Sequence, residues 1–339
     1  MNKISKLFCF IIIILFLFNL MTISAKSPKY LLKIATDSPD NSIWASSIKE
    51  INNMISQKTN GEVQIDLYPG GVMGDQSTVI KKIKLGQLSG STFSSGGLGL
   101  IYNDFAIMGF PMLFQSYGEY DYVLSKMDTF FEKKFEENGF ILLAWSEVGL
   151  IYIFSKNKVN SVATLRNSKP LLLEGDEISL ALYKEVKATP VPIQLSDVLT
   201  GLQTGLIDSV FSSPYALIVT QWYTKVRYMA DAPITLLIGA IMVDKKTFYS
   251  MPAAYQNELK NMFKSTFGKL NQKIRQDNEN SLELLKKRGQ IIVLPVDKKD
   301  RDLFIKACTD VANRLTEKEY SRDLLNRIRA YVNEYRKKK

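Results

Sequence analysis

Histidine is absent from all 339 residues. That excludes a Ser-His-Asp or Cys-His relay and removes the commonest protein ligand for zinc. The cysteines do not replace it. Cys9 lies in an apolar leader, and Cys308 stands alone in a helical context, where a lone thiol packs as a small apolar side chain. Carboxylates remain. Glu174, Asp176 and Glu177 cluster, but with too few oxygen donors for a calcium loop, and they suit a helix N-terminus whose dipole they complement. A hydrolytic pair of Glu174 and Asp208 gains no support from its spacing. Gly70-Gly71-Val72-Met73-Gly74 lacks the Gly-Lys-Ser/Thr of a phosphate loop and the spacing of a dinucleotide fingerprint, and is expected to be a tight turn. Ser95-Gly96-Gly97 has little side-chain bulk; it suits backbone cleared for a close neighbour, and a plain loop equally well. These residue types point to binding without covalent chemistry. No catalytic residue, cofactor or metal site is expected.

The framework for such binding is the stretch from Arg166 to Pro214. An apolar run, an amphipathic helix, a Pro-bounded strand, a second helix and a Gly-Asp turn into another strand follow one another. Strand–helix–strand–helix–strand is the order of a parallel sheet covered by helices, and a ligand then sits outside the carboxyl ends of the strands.

The first part of the chain repeats this grammar. Strands are expected at Tyr30 to Ala35, Val63 to Leu67, Ser91 to Ser94 and Phe140 to Trp145. Helices capped by Ser42 and Asp75, and a third from Tyr117 to Asn138, lie between them. Pro233 to Val243 is a long apolar strand. Ala253 to Arg288 contains no proline; as one helix it would be about 54 Å long, so it should bend near Gly268 or run across two lobes. A strand at Ile291 to Leu294, a helix from Asp297 and a last helix from about Ser321 complete the pattern.

The chain is 46% hydrophobic and 23% charged, enough for a core, and its length suits two domains or two lobes. The formal charge is +10, concentrated partly in the basic tail, where a solvated helix face is the plain explanation. Nothing interleaves basic and aromatic residues in the manner of a nucleic-acid site, so no such partner is expected. Lys3 and Lys6, the apolar run Leu7 to Met21 and the small residue Ala25 describe a secretory signal peptide over residues 1–25, with an uncleaved membrane anchor as the alternative.

Leu202-Gln203-Thr204-Gly205-Leu206-Ile207-Asp208 resembles the "aLQtG.vDg" signature of the solute-binding subunits of TRAP (tripartite ATP-independent periplasmic) transporters. Further segments are similar in order and spacing. Pro69 to Asp75 looks like "P.g.lG", Pro111 to Phe114 like "Pflf", Gly139 to Ala144 like "G.k.la", and Met251 to Gln256 like "LP.e.q". The resemblance implies an α/β fold of two lobes, with crossing segments and a long inter-lobe helix. Residues 26–148 plus 237–276 would form the first lobe, and 149–236 plus 277–339 the second with the C-terminal helices. It also implies a periplasmic receptor that closes on a solute and delivers it to TRAP membrane subunits driven by an ion gradient.

One departure from the family is informative. Most members carry "dLkGlkiR", whose arginine forms a bidentate pair with a ligand carboxylate. Here the stretch reads Thr164-Leu165-Arg166-Asn167-Ser168-Lys169-Pro170-Leu171, and the clamp position falls on Leu171. A branch of the family lacks this arginine and is accompanied by a tetratricopeptide-repeat lipoprotein, and the chain resembles that branch. The expected ligand is apolar or amphipathic, in a cleft lined by Trp44, Ser95, Gly96, Tyr152, Leu171, Glu174, Phe211, Ser212 and Trp222. The alternatives are a carboxylate receptor that uses Lys169 or Arg227, and a ligand-sensing protein that transports nothing. An exported enzyme is disfavoured by the missing histidine.

Overall fold

The computed structural model describes residues 27–173 and 176–338. The leader expected at residues 1–25, and the choice between signal and anchor, lie outside them.

Three parallel strands open the chain: β1 (Tyr30–Ala35), β2 (Val63–Tyr68) and β3 (Gly90–Ser94). The helices between them are α1 (Ile43–Lys58) and α2 (Gln76–Lys84). Each starts at the expected cap: the Ser42 side chain accepts from the Ala45 N–H and Asp75 from the Thr78 N–H. After β3 the loop expected at Ser95-Gly96-Gly97 is instead the first turn of α3 (Ser95–Ile101), capped by Ser94. Gly97 makes room there for Gln76: a Cβ would stand 1.7 Å from the Gln76 Oε1 and would displace the side chain that bonds Asp37 and the Ser94 N–H.

A 3-10 stretch, Asn103–Gly109, leads to α4 (Tyr117–Glu137), β4 (Phe140–Ser155), α5 (Val162–Arg166) and β5 (Leu171–Leu173). Then come α6 (Glu177–Val186), β6 (Val191–Ile193), α7 (Val198–Thr204), β7 (Ser209–Ser212), α8 (Pro214–Val219), β8 (Tyr228–Ala230) and β9 (Thr235–Asp244). The chain closes with α9 (Lys245–Tyr249), α10 (Ala253–Lys287), β10 (Ile292–Leu294), α11 (Lys298–Lys318) and α12 (Arg322–Lys337).

The fold is α/β and two-lobed. In the first lobe the strand order is β2-β1-β3-β9-β4, with β9 antiparallel to both neighbours. In the second lobe β4 lies between β7 and β8, with β10 beyond β8. The β5–β6 pair joins through a parallel bridge from Pro170 to Ser209. Strand β4 therefore belongs to both lobes. It pairs with β9 from Phe140 to Ile151 and with β7 from Tyr152 to Ser155, and its register slips between Leu142 and Ala144 and between Glu147 and Gly149. From sequence this strand stops at Trp145, because Ser146, Glu147 and Gly149 break the apolar run; the bulge absorbs them.

The long helix α10 is continuous through Gly268 and serves both lobes. Leu259, Phe263, Phe267 and Ile274 pack with Ile48, Ile51 and Ile55 of α1, whereas Leu285 reaches the second-lobe cluster around Phe154, Val210 and Leu217. Helix α11 packs on α6, where Arg314 pairs with Glu185 at 2.7 Å. Helix α12 packs on α4 and on α11. Its apolar stripe (Leu324, Leu325, Ile328, Val332) is buried, Arg336 meets Glu119 at 2.8 Å, and Tyr122 donates to Glu334 at 2.5 Å.

Candidate ligand cleft

Topology places the cleft. Strands β1 to β3 run parallel to the first half of β4, which carries the chain out of the first lobe. Strands β7 and β8 run antiparallel to β4, so their carboxyl ends return toward the same crossing. Both sets of carboxyl ends meet over residues 146–152, where a ligand of an open α/β fold sits.

The first lobe presents a hydrogen-bonded polar wall that sequence did not single out. The Thr92 hydroxyl donates to the Thr36 Oγ1 at 2.8 Å, the Gln76 amide donates to Asp37 at 3.0 Å, and the Ser94 N–H donates to the Gln76 Oε1 at 3.2 Å. Desolvation raises the pKa of Asp37, the Gln76 amide opposes the rise, and Asp75 adds to it. These residues sit just after β1, in the first turn of α2 and at the end of β3. Only the assembled sheet makes them neighbours.

Of the residues expected from sequence, Trp44 holds the most informative place. Its Nε1–H donates to the Glu147 carbonyl at 3.2 Å, and its ring lies 6.0 Å from that of Tyr215, tilted by 57°. Trp44 belongs to the first lobe and Tyr215 to the second, so this pair closes one end of the crossing. Gly96 is exposed at the carboxyl end of β3. Ser95 is buried there, its hydroxyl already donating to the Ile238 carbonyl at 2.8 Å. Ser212 is buried and donates to the Ser213 carbonyl at 3.1 Å.

Five of the expected residues need correction or lie outside the described residues. Leu171 and Trp222 are core residues, 5% and 6% exposed, packed in the cluster with Val198, Leu202 and Leu217. Tyr152 and Phe211 do not share a wall. Their registers pair Tyr152 with Ser212 and Phe211 with Ile153, so alternation puts them on opposite faces of the sheet, and Phe211 packs on Tyr183 at 5.9 Å. Glu174 lies outside the described residues.

The alternative cations stand at the wrong end. Lys169 precedes β5, where its ammonium donates to the Gly205 carbonyl at 3.4 Å. Arg227 precedes β8, and its guanidinium donates to the Gly289 carbonyl beyond α10. Both lie at strand amino ends, away from the cleft. The loops leaving the carboxyl ends are different in kind. Among the described residues, 36–42, 69–75, 176, 194–197 and 231–234 hold Asp37, Asp40, Asp75, Asp176, Asp197 and Asp231 and neither lysine nor arginine, though Lys49 pairs with Asp40 at 2.6 Å, Lys82 donates to the Met73 carbonyl at 2.9 Å and Arg301 donates to the Asp231 carbonyl at 3.5 Å.

Behind the crossing lies the one densely charged part of the hinge. Glu147, 4% exposed, receives two hydrogen bonds from Arg275 of α10, Nε to Oε2 at 2.8 Å and Nη2 to Oε1 at 2.6 Å. Arg275 also grips Asp121 at 2.6 and 2.7 Å and lies 4.5 Å from the centre of the Tyr117 ring. Burial pushes the Glu147 pKa up while Arg275 opposes it; burial would lower Arg275, but Asp121 and Glu147 outweigh that and keep it cationic. Asn271 and Asn278 satisfy the bulged backbone: Asn271 accepts from the Glu147 N–H at 3.0 Å, and Asn278 donates to the Val148 carbonyl at 2.9 Å and accepts from the Tyr215 N–H at 2.9 Å. The hinge is thus tied to one helix by side chains whose polar groups are paired.

Comparison with known proteins agrees with this architecture. The periplasmic TRAP solute-binding protein of Desulfovibrio salexigens with bound orotic acid superposes with a TM-score of 0.80, at 17% identity, over 91% of this chain and 99% of that one. The 2,3-diketo-L-gulonate-binding periplasmic protein of Escherichia coli (strain K12) is 22% identical over 280 residues, 76% of this chain and 82% of that protein. The uncharacterized protein YiiZ of Salmonella typhimurium is 22% identical over 206 residues, 58% of this chain but only 62% of its own length. The family model for bacterial extracellular solute-binding protein, family 7 (DctP), matches residues 34–319, and the chain belongs to that family.

Proposed function

We propose that the chain is a periplasmic TRAP receptor for a small amphipathic solute that is neutral or cationic, which it delivers to membrane subunits driven by an ion gradient. The observation that carries this reading is the make-up of the described carboxyl-end loops, which contribute aspartates and no lysine or arginine of their own; the cations that reach them, Lys49, Lys82 and Arg301, are engaged by Asp40 and by the Met73 and Asp231 carbonyls. The Escherichia coli and Desulfovibrio salexigens proteins are named for, or hold, acids. An acid bound about 7 Å from an ionised carboxylate such as Asp37 would be opposed by about 2 kcal/mol at an effective dielectric constant near 20. The position that carries arginine in the resembling motif is Leu171, which lies in the core, and Lys169 and Arg227 sit at the far strand ends. Trp44 and Tyr215 supply aromatic faces at the crossing, which suit an apolar body or a cationic head. The missing arginine also favours the branch served by a tetratricopeptide-repeat lipoprotein.

Calorimetric titration tests the reading, with succinate, sialic acid and orotate against hexylamine and hexyltrimethylammonium. Micromolar binding of an acid at the crossing, unaffected by Asp37→Asn, would overturn it. Native mass spectrometry of the protein purified from its own host would identify the solute.

A further inference from the structure

A second concavity lies away from the crossing, between the segment 110–115 and the two C-terminal helices. It has a volume of about 240 Å³. Phe110, Leu113, Cys308, Leu325 and Val332 form its apolar part, and Arg329 lines it. Arg329 is half-buried, and among the described residues no carboxylate lies within ion-pair distance of it. One guanidinium nitrogen donates to the Asn313 Oδ1 at 3.0 Å. An arginine fork offers five N–H donors and matches a carboxylate bidentately. Nearby Arg336 differs: its Nε and Nη2 are committed to Glu119 at 2.8 and 3.1 Å. Burial alone lowers the Arg329 pKa, the mark of a cation whose surroundings do not compensate it.

We propose that this cavity is a second binding site, for an amphipathic monocarboxylate of about six to nine heavy atoms, with its carboxylate on Arg329 and its apolar part on the Phe110 and Val332 side. The size follows from the volume, since a pocket binds what fills most of it. The walls give the site a further property. The segment 110–115 is tied to the start of β9 by the Met112 N–H donating to the Ile234 carbonyl at 2.6 Å, α11 packs on α6 of the second lobe, and α12 packs on α4 of the first. An occupant therefore touches elements anchored on both lobes, and binding here favours the lobe arrangement that keeps those walls together.

The test uses the full-length mature chain with hexanoate and benzoate, and methyl hexanoate as the uncharged control. Calorimetry reads affinity, and hydrogen–deuterium exchange reads location. The expected result is binding of the acids but not the ester, with protection confined to residues 110–115 and 305–336. Arg329→Gln should weaken hexanoate at least tenfold, and Arg329→Lys should restore part of it. The exchange pattern of the unliganded variants verifies that each is folded. Absence of binding by both acids, equal binding by Arg329→Gln, or protection confined to the crossing over β4 would overturn the proposal. The last result would also count against a cleft that rejects acids, whereas the first two leave that reading intact.

Discussion

Replacing Arg275 with methionine isolates the charged group behind the hinge, and its cost can be worked out in advance. Glu147 is 4% exposed, and both of its oxygens are held by Arg275. Without the guanidinium the carboxylate is buried and unpartnered, a situation that typically costs 3–5 kcal/mol. The protein has an escape, because Glu147 can take up a proton. Holding neutral an acid whose ordinary pKa is 4.5 costs about 3.4 kcal/mol at pH 7 and about 0.7 kcal/mol at pH 5, at 1.36 kcal/mol per pH unit. The first figure is therefore the ceiling at pH 7. The sign follows from linkage. In the variant the folded-state pKa rises well above the unfolded value of 4.5, so the native state binds more protons, and stability falls as pH rises through that window. The contact with Asp121, whose side chain is 50% exposed, adds little. Urea unfolding followed by tryptophan fluorescence at pH 5, 6 and 7 should show Arg275→Met destabilised by about 3 kcal/mol at pH 7 and by about 1 kcal/mol at pH 5. The double variant Glu147→Gln/Arg275→Met should lose this pH dependence. Equal destabilisation at pH 5 and pH 7, or a double variant with the same slope as the single one, would refute the reasoning.

Three further outcomes follow from other positions. Gly149 has φ +122°, and a Cβ there would lie 2.4 Å from the Asn278 Nδ2 and 2.9 Å from the Tyr117 hydroxyl; Gly149→Ala should lower stability by about 1–3 kcal/mol and weaken solute binding, read by thermal unfolding with and without the solute. Leu171→Arg should not create a carboxylate receptor, because position 171 is core; about 3 kcal/mol or more of stability should be lost, with no succinate binding in calorimetry. Burial pushes the Cys308 thiol up to about 12, so a disulfide reagent at pH 8 should leave it intact in the native protein and modify it fully in urea.

Where local signals decided the outcome, the sequence was sufficient. Helix α1 runs from Ile43 to Lys58 because Ser42 caps it and Ile48, Ile51 and Ile55 repeat at helical spacing, all of which are visible in one stretch of chain. The parallel arrangement around β5, β6 and β7 was legible for the same reason. Strand β4 was not. Its polar middle is tolerable only because Asn271 and Asn278, more than a hundred residues away, bond its bulged backbone. Nor could local pattern place Leu171, Trp222 and Phe211, since an apolar residue at a strand end or beside a turn lines a cleft or fills a core according to what packs on it. The acidic rim shows the converse. Every residue in it was visible, but its meaning depends on which loops leave carboxyl ends, and that is a property of topology. The position of α12 turned on its buried stripe meeting α4 and α11, partners that its own sequence does not name.

The order of the first-lobe strands has a consequence for how the protein is made. Strand β3 ends at Ser94, but its neighbour β9 begins at Thr235, and the register joins Gly90 to Val243. Until that late strand leaves the ribosome, the first-lobe sheet has an open edge at β3, and β4 has nothing to join it to. More than two thirds of the chain must be synthesised before either lobe can close its sheet. Long-range pairing of this kind folds slowly. A chain that cannot complete its sheets early stays unfolded through most of its own synthesis, with the open edge at β3 exposed for longest.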